Sequence, residues 1–133
     1  MSRILLDTTA YAALMAGDSR IAELLAASEA ILLSPVVIGE LLEGFLQGSR
    51  NLENRRTLEQ FLAKPRSKCV PITEATAEWS ADIRRSLPRQ GKTIPMSNVW
   101  IAASCMEHGA HLLSFDPHFE GVDGLLLCSL PDA

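Results

Sequence analysis

Apolar residues along this chain gather in stretches of two lengths. The short ones, Ile4 to Leu6, Ile31 to Ser34, Cys69 to Ile72, His111 to Ser114 and Leu125 to Cys128, are too brief for helices and read as five strands. Longer segments of helical period lie between them. Thr9 to Ala16 and Ser19 to Ala27 form two short helices parted by Gly17 and Asp18, and Val36 to Gln47 and Leu52 to Lys64 form a pair jointed at Gly48 and Ser49. A helix from about Glu74 to Leu87 has Thr73 as its cap and Pro88 as its stop, and a last helix from Asn98 to His108 ends at Gly109. Strands alternating with helices predict a three-layer α/β/α sandwich around a central, mostly parallel five-stranded sheet. Pro88 to Pro95 reads as a loop within that unit, so residues 1–133 form one domain.

At 133 residues and 47% apolar composition the chain can build a single hydrophobic core. No apolar run approaches the roughly 20 residues that cross a bilayer, and the start MSRILLDTT turns acidic too early for a signal peptide. A soluble, cytoplasmic protein without membrane association is the expectation. Cys69, Cys105 and Cys128 lie in apolar surroundings without CxxC spacing, which predicts buried free thiols rather than disulfides or zinc ligands. The net charge of −4 argues against a surface that coats nucleic acid broadly. It leaves room for a nuclease, whose metal ions require negative charge at the centre of the site. The basic groups Arg50, Arg55 and Arg56, then Lys64, Arg66 and Lys68, then Arg84, Arg85, Arg89 and Lys92 read as solvated helix faces.

Open parallel sheets place ligands beyond the carboxyl ends of their strands. The first strand ends at Asp7, followed by Thr8 and Thr9; alone, Asp7 reads as a helix cap. After the second strand, Pro35 suits the first turn of a helix, and Glu40 lies among Val36, Val37, Ile38, Leu41 and Leu42. A carboxylate in such company needs a partner if buried, and a cation is one. Glu43 can share its face but also suits an outer, solvated position. The fourth strand runs out through Ser114 and Phe115 to Asp116 and Pro117, a pair that commonly opens a turn. Capping and turn formation explain each acid singly, whereas three acids converging on one rim point to a shared divalent cation. Oxygen donors without a His or Cys cluster favour Mg²⁺ or Mn²⁺ over zinc.

The order LLDTTAY, SPVVIGELLEG, GKTIPMSNVWIAASCMEHGAHLLSFDPHF resembles the PIN-domain ribonucleases, and especially the VapC toxins of toxin-antitoxin pairs. The resemblance covers essentially the whole chain and is most specific in its C-terminal block. It implies four acids that hold Mg²⁺ or Mn²⁺ for RNA hydrolysis, and it assigns Asp7, Glu40 and Asp116 to three of them, with Ser114 supporting the metal site. The family pattern resembles P-x-N-D-x-W-I-A-A, and alignment on Trp100, Ile101, Ala102 and Ala103 puts Asn98 in the place of the fourth acid. An amide there removes a formal charge and cannot act as a base, although Asn remains a good helix cap.

The resemblance further implies a homodimer, an RNA substrate, and a small VapB-like antitoxin that covers the active-site groove. An apolar groove between the Thr9 to Ala27 helices and the Val36 to Lys64 pair suits an amphipathic helix, although most of its Leu and Ala residues must serve the core. Asn98 also supports an alternative, a PIN-like module that binds RNA or protein without cutting. A phosphatase with Asp7 as nucleophile ranks last, because such sites call for a second Asp two residues on and Thr9 stands there.

Overall fold

Leu5 and Leu6 point to opposite faces of one strand, and both are fully buried. Leu32 and Leu33 repeat that pattern in the next strand, so the sheet is covered on both sides, as a helix–sheet–helix sandwich requires. The computed structural model describes residues 2–88, 91 and 93–132. In it β1 (Arg3–Leu6), α1 (Thr8–Met15), α2 (Ser19–Ala26), β2 (Ala30–Leu33), α3 (Pro35–Gln47) and α4 (Asn51–Leu62) follow in order. Then come β3 (Ser67–Cys69), α5 (Glu74–Ser86), α6 (Met96–Glu107), β4 (His111–Leu113) and a 3₁₀ turn at Pro117–Gly121. The strands pair in the order β3-β2-β1-β4, all parallel, with Leu5 opposite Leu32 on one side and Leu112 on the other.

The sheet has four strands among the described residues, where the sequence predicts five. The expected last strand, Leu125 to Cys128, makes a single bridge, Leu127 to Leu112, through two backbone hydrogen bonds of 2.8 Å. Its partner β4 is only three residues long, and the chain beyond Leu113 bends towards β1, so a ladder cannot extend. The third strand is shifted as well, ending at Cys69 rather than Ile72. Val70 still donates to Leu33, but Pro71 has no N–H with which to continue.

Local signals fix most helix ends. Gly17 takes a φ of 97° between α1 and α2, Asp18 caps α2, Ser34 caps α3 with Pro35 in the first turn, and Thr73 and Thr76 form a capping box on α5. Gly109, at φ 60°, follows the end of α6. The start of α6 departs from expectation: it begins at Met96, and Asn98 is its third residue rather than its cap. The carbonyl of extended Pro95 accepts from Asn98 and Val99, so no capping side chain is required and the Asn98 amide is free to turn elsewhere. Within the Pro88 to Pro95 loop, Arg89, Gln90 and Lys92 lie outside the described residues. The three thiols are free; Cys105 is buried and Cys128 half-buried, whereas Cys69, at the end of the edge strand, is exposed rather than buried. Among the described residues no helix is long and apolar enough to cross a membrane.

Candidate active site

The strand order reverses between β1 and β4: the chain steps from β1 outward to β3 and then returns to the opposite flank of β1. Crevices open at such switch points because the two following connections diverge to opposite faces. Here the backbone N–H of Asp7 donates to Leu113 at 3.2 Å, which locks the carboxyl ends of β1 and β4 side by side. Asp7, Glu40, Asn98 and Asp116 all line one cleft of about 310 Å³ at that point.

Asp7 is 3% exposed and held by three donors. Its Oδ1 accepts from the Ala10 backbone at 2.9 Å and the Thr9 hydroxyl at 2.7 Å, while its Oδ2 accepts from the Ser114 hydroxyl. Burial pushes the Asp7 carboxyl above the usual aspartate range; the nearby Asp116 charge adds to that rise, and the hydrogen bonds from Ser114, Ala10 and Thr9 oppose it. Ser114 Oγ in turn accepts from the Asp116 backbone at 2.9 Å, and Thr9 Oγ1 from the Phe115 backbone at 3.0 Å. The turn that carries Asp116 is thereby fastened to the start of α1.

Asp116 lies below the usual range, chiefly because the His118 backbone donates to it at 3.0 Å; the Asn98 amide and the His118 ring add to the effect against a desolvation that opposes it. Asn98 Nδ2 donates to Asp116 Oδ2 at 3.0 Å. An ionised carboxylate only accepts, so the amide must present its NH₂ end there. Glu40, half-buried on α3, accepts from the Thr8 hydroxyl at 2.5 Å. Among the described residues, no three His, Cys, Asp or Glu side chains converge closely enough to hold a metal ion by themselves. The donor set still suits a hard cation, because Mg²⁺ is commonly bound through one or two carboxylates, substrate phosphate and several waters.

The cleft also contains Thr8, Thr9, Glu43, Gly44, Gln47 and Ile101. Glu43 belongs to it rather than to an unrelated outer face. Glu40, Glu43, Gly44 and Gln47 follow the three, four and seven spacing of one helical face, a signal that was present in the sequence. Thr9 stands where the phosphatase alternative needs a second nucleophile-side Asp, and it is bonded to Asp7 as a neutral donor.

Residues 4–125 match the PIN domain family. The chain belongs to that family. A curated relative, Ribonuclease VapC4 of Mycobacterium tuberculosis, is 32% identical to this PIN domain over 84 residues, which are 63% of the chain and 65% of that protein, just under two thirds of its length. Among solved structures, VapBC2 of Rickettsia felis bound to a promoter DNA fragment superposes with a TM-score of 0.83 at 22% identity, over 97% of this chain and 99% of that one. VapC20 of Mycobacterium tuberculosis, described as a sarcin-ricin loop cleaving toxin, gives 0.69 at 20% identity, over 96% and 99%. At those identities the two structures speak for the fold of this PIN domain.

Proposed function

We propose that this PIN domain is a Mg²⁺- or Mn²⁺-dependent ribonuclease, the toxin of a VapBC-type pair, and that Asn98 lowers its activity. The observation that carries this reading is the acidic cleft at the switch point, where Asp7 and Asp116 face each other across the ends of β1 and β4 with Glu40 and Asn98 beside them. The similarity to a protein named as a ribonuclease supports it.

A bound divalent cation supplies charge neutralisation at the scissile phosphate and acidifies a water for in-line attack. Asp7 and Asp116 would hold that cation, and Ser114 and Thr9 keep the Asp7 carboxylate oriented. Glu40, its Oε1 occupied by Thr8, offers its other oxygen to orient the attacking water and accept a proton. Asn98 stabilises ionised Asp116 by hydrogen bonding where an acid would add a further anionic ligand.

The protein acts in the cytoplasm as a homodimer restrained by a small VapB-like antitoxin. Several of the similar structures are themselves toxin-antitoxin complexes. A groove of about 400 Å³ between α1, α3 and α4, apolar at Tyr11, Met15, Leu41 and Phe45 and polar at Arg50 and Glu53, offers a seat for an amphipathic antitoxin helix. The test is RNA cleavage by this chain and by Asn98→Asp with Mg²⁺, Mn²⁺ or EDTA. Metal-dependent cleavage that rises in the variant is expected, and equal rates in both chains contradict the role given to residue 98. The non-catalytic alternative draws on the Asn98–Asp116 bond, which satisfies the site without metal; a chain that shows no Mg²⁺ or Mn²⁺ binding in a titration would favour it.

A further inference from the structure

No Lys, Arg or His stands among the described residues lining the acidic cleft, and the chain carries a net charge of −4. Close to the scissile phosphate, attraction for a polynucleotide beyond that of a cation therefore has to come from groups that act without charge. Phe115 is such a group. Phe115 and Trp79 are the two aromatic side chains that stand exposed, and Trp79 is on α5, none of whose residues lines the cleft. The Phe115 ring is 48% exposed, takes no part in the hydrophobic core and has no ring partner among the described residues.

Its backbone is nonetheless fixed. The Phe115 N–H donates at 3.0 Å to Thr9 Oγ1, and Thr9 itself lines the cleft. Ser114 before it is bonded to Asp7, and the Asp116 N–H after it donates to Ser114 Oγ at 2.9 Å. The bonds that aim Asp7 and Asp116 at the cleft thus also hold an apolar ring at its rim, where folding gains little from it. Consecutive Cα atoms are about 3.8 Å apart, so the ring stands within one nucleotide of a phosphate held at Asp116. Thr9, Ser114 and Asp116 around it are polar, which leaves one isolated flat surface rather than the contiguous apolar patch on which a protein interface centres. An unpaired nucleobase fits such a surface, because it stacks on a single ring and the contact requires no charge.

Resting on the ribonuclease reading above, we infer that Phe115 is a stacking platform for the nucleobase that flanks the scissile phosphate. It then sets specificity in two ways. A base inside a duplex has both faces covered, so the platform selects an unpaired nucleotide at the cleavage position. A purine, with its wider face, is held more firmly there than a pyrimidine.

The test is a cycle of protein and ligand changes. Single-stranded 20-nucleotide rA and rU, and a 20-unit abasic strand of tetrahydrofuran phosphates, are titrated by fluorescence anisotropy in Ca²⁺, with gel electrophoresis to confirm intact strands. The intact chain, Phe115→Ala, Phe115→Leu and Phe115→Trp are compared, with thermal unfolding as a check that each variant folds. Phe115→Ala and Phe115→Leu should weaken rA binding about tenfold or more and rU binding less, Phe115→Trp should restore both, and the abasic strand should bind all four proteins equally. Leucine serving as well as phenylalanine, or an equal loss on the abasic strand, overturns the stacking role. Loss of a dimer in Phe115→Ala by sedimentation, with rA affinity unchanged, overturns it in favour of a contact between copies of the chain. An intact chain that cleaves RNA with Mn²⁺ yet does not distinguish base-bearing from abasic strands overturns the stacking role alone. If the intact chain neither binds these strands nor cleaves RNA with Mn²⁺, the ribonuclease reading falls and the platform with it.

Discussion

Replacing Asn98 by Asp should make the metal-free protein less stable and the metal-loaded protein relatively more so. The substitution turns a donor 3.0 Å from Asp116 Oδ2 into a second carboxylate. Two unit charges at that distance repel by roughly 5.5 kcal/mol at an effective dielectric constant of about 20. Rotation to a separation of about 4.5 Å brings this below roughly 4 kcal/mol. The Asp116 side chain is 26% exposed, so solvent screens part of the remainder. With the amide hydrogen bond also lost, a net destabilisation of about 2–4 kcal/mol follows. For a chain of 133 residues this lowers the melting temperature by on the order of 10 °C. A cation at 100 times its dissociation constant returns about 2.7 kcal/mol. Thermal unfolding followed by circular dichroism, in EDTA and across a Mn²⁺ titration, reads both effects. Asn98→Asp should melt below the parent in EDTA and gain more from Mn²⁺ than the parent does. Equal melting in EDTA, or equal gains from Mn²⁺, would refute the claim that Asn98 acts as a stabilising donor to ionised Asp116.

The two aspartates also give opposite pH signatures in the metal-free chain. Asp7 is raised, so the folded state binds the extra proton and stability falls as pH climbs from the ordinary aspartate range to the raised value; Asp7→Asn should flatten that limb in a pH series of urea titrations and abolish cleavage. Asp116 is lowered, so its contribution is present above the ordinary range and is lost as pH falls through the depressed value; Asp116→Asn should remove that acid-side loss in the same series. Ser114→Ala removes the hydroxyl that joins Asp7 to the Asp116 backbone and should weaken Mn²⁺ binding by about tenfold or more, measured by calorimetry. Tyr11→Phe deletes a buried hydroxyl without a hydrogen-bond partner among the described residues and should stabilise the free chain by about 1 kcal/mol, read as a higher urea midpoint with unchanged slope.

Three of the acids that line the cleft were legible because each has a positional mark. Asp7 and Asp116 follow apolar runs that could only be strands, and Glu40 interrupts an apolar helix face; a parallel sheet brings strand ends together without further information. Residue 98 was legible through its distance from Trp100 and the small residues after it, but its conformation was not. Cap propensity favoured Asn98 as the helix start, and the carbonyl of Pro95 took that place instead. The two strand errors have different causes. Val70 is buried yet followed by Pro71, which has no N–H to continue a ladder, whereas Leu126 and Leu127 are exposed and the segment makes a single bridge to β4. The bonds from Thr9 and Ser114 to Asp7 depend on side-chain direction across 107 residues in the latter case, which no local pattern encodes.

Capping and metal binding first looked like rival explanations of Asp7, and the geometry shows them to be compatible. The carboxylate has about four acceptor positions, and the Ala10 amide, the Thr9 hydroxyl and the Ser114 hydroxyl take three of them. The same bonds that start α1 therefore aim the remaining position at the cleft. A helix cap fixes the carboxylate with backbone precision, which a long flexible side chain in a solvated cleft could not do. Glu40 compensates for its length through Thr8, and Asp116 through Ser114 and His118. Asn98 is bonded directly to Asp116, so a change at residue 98 acts on Asp116 as much as on itself.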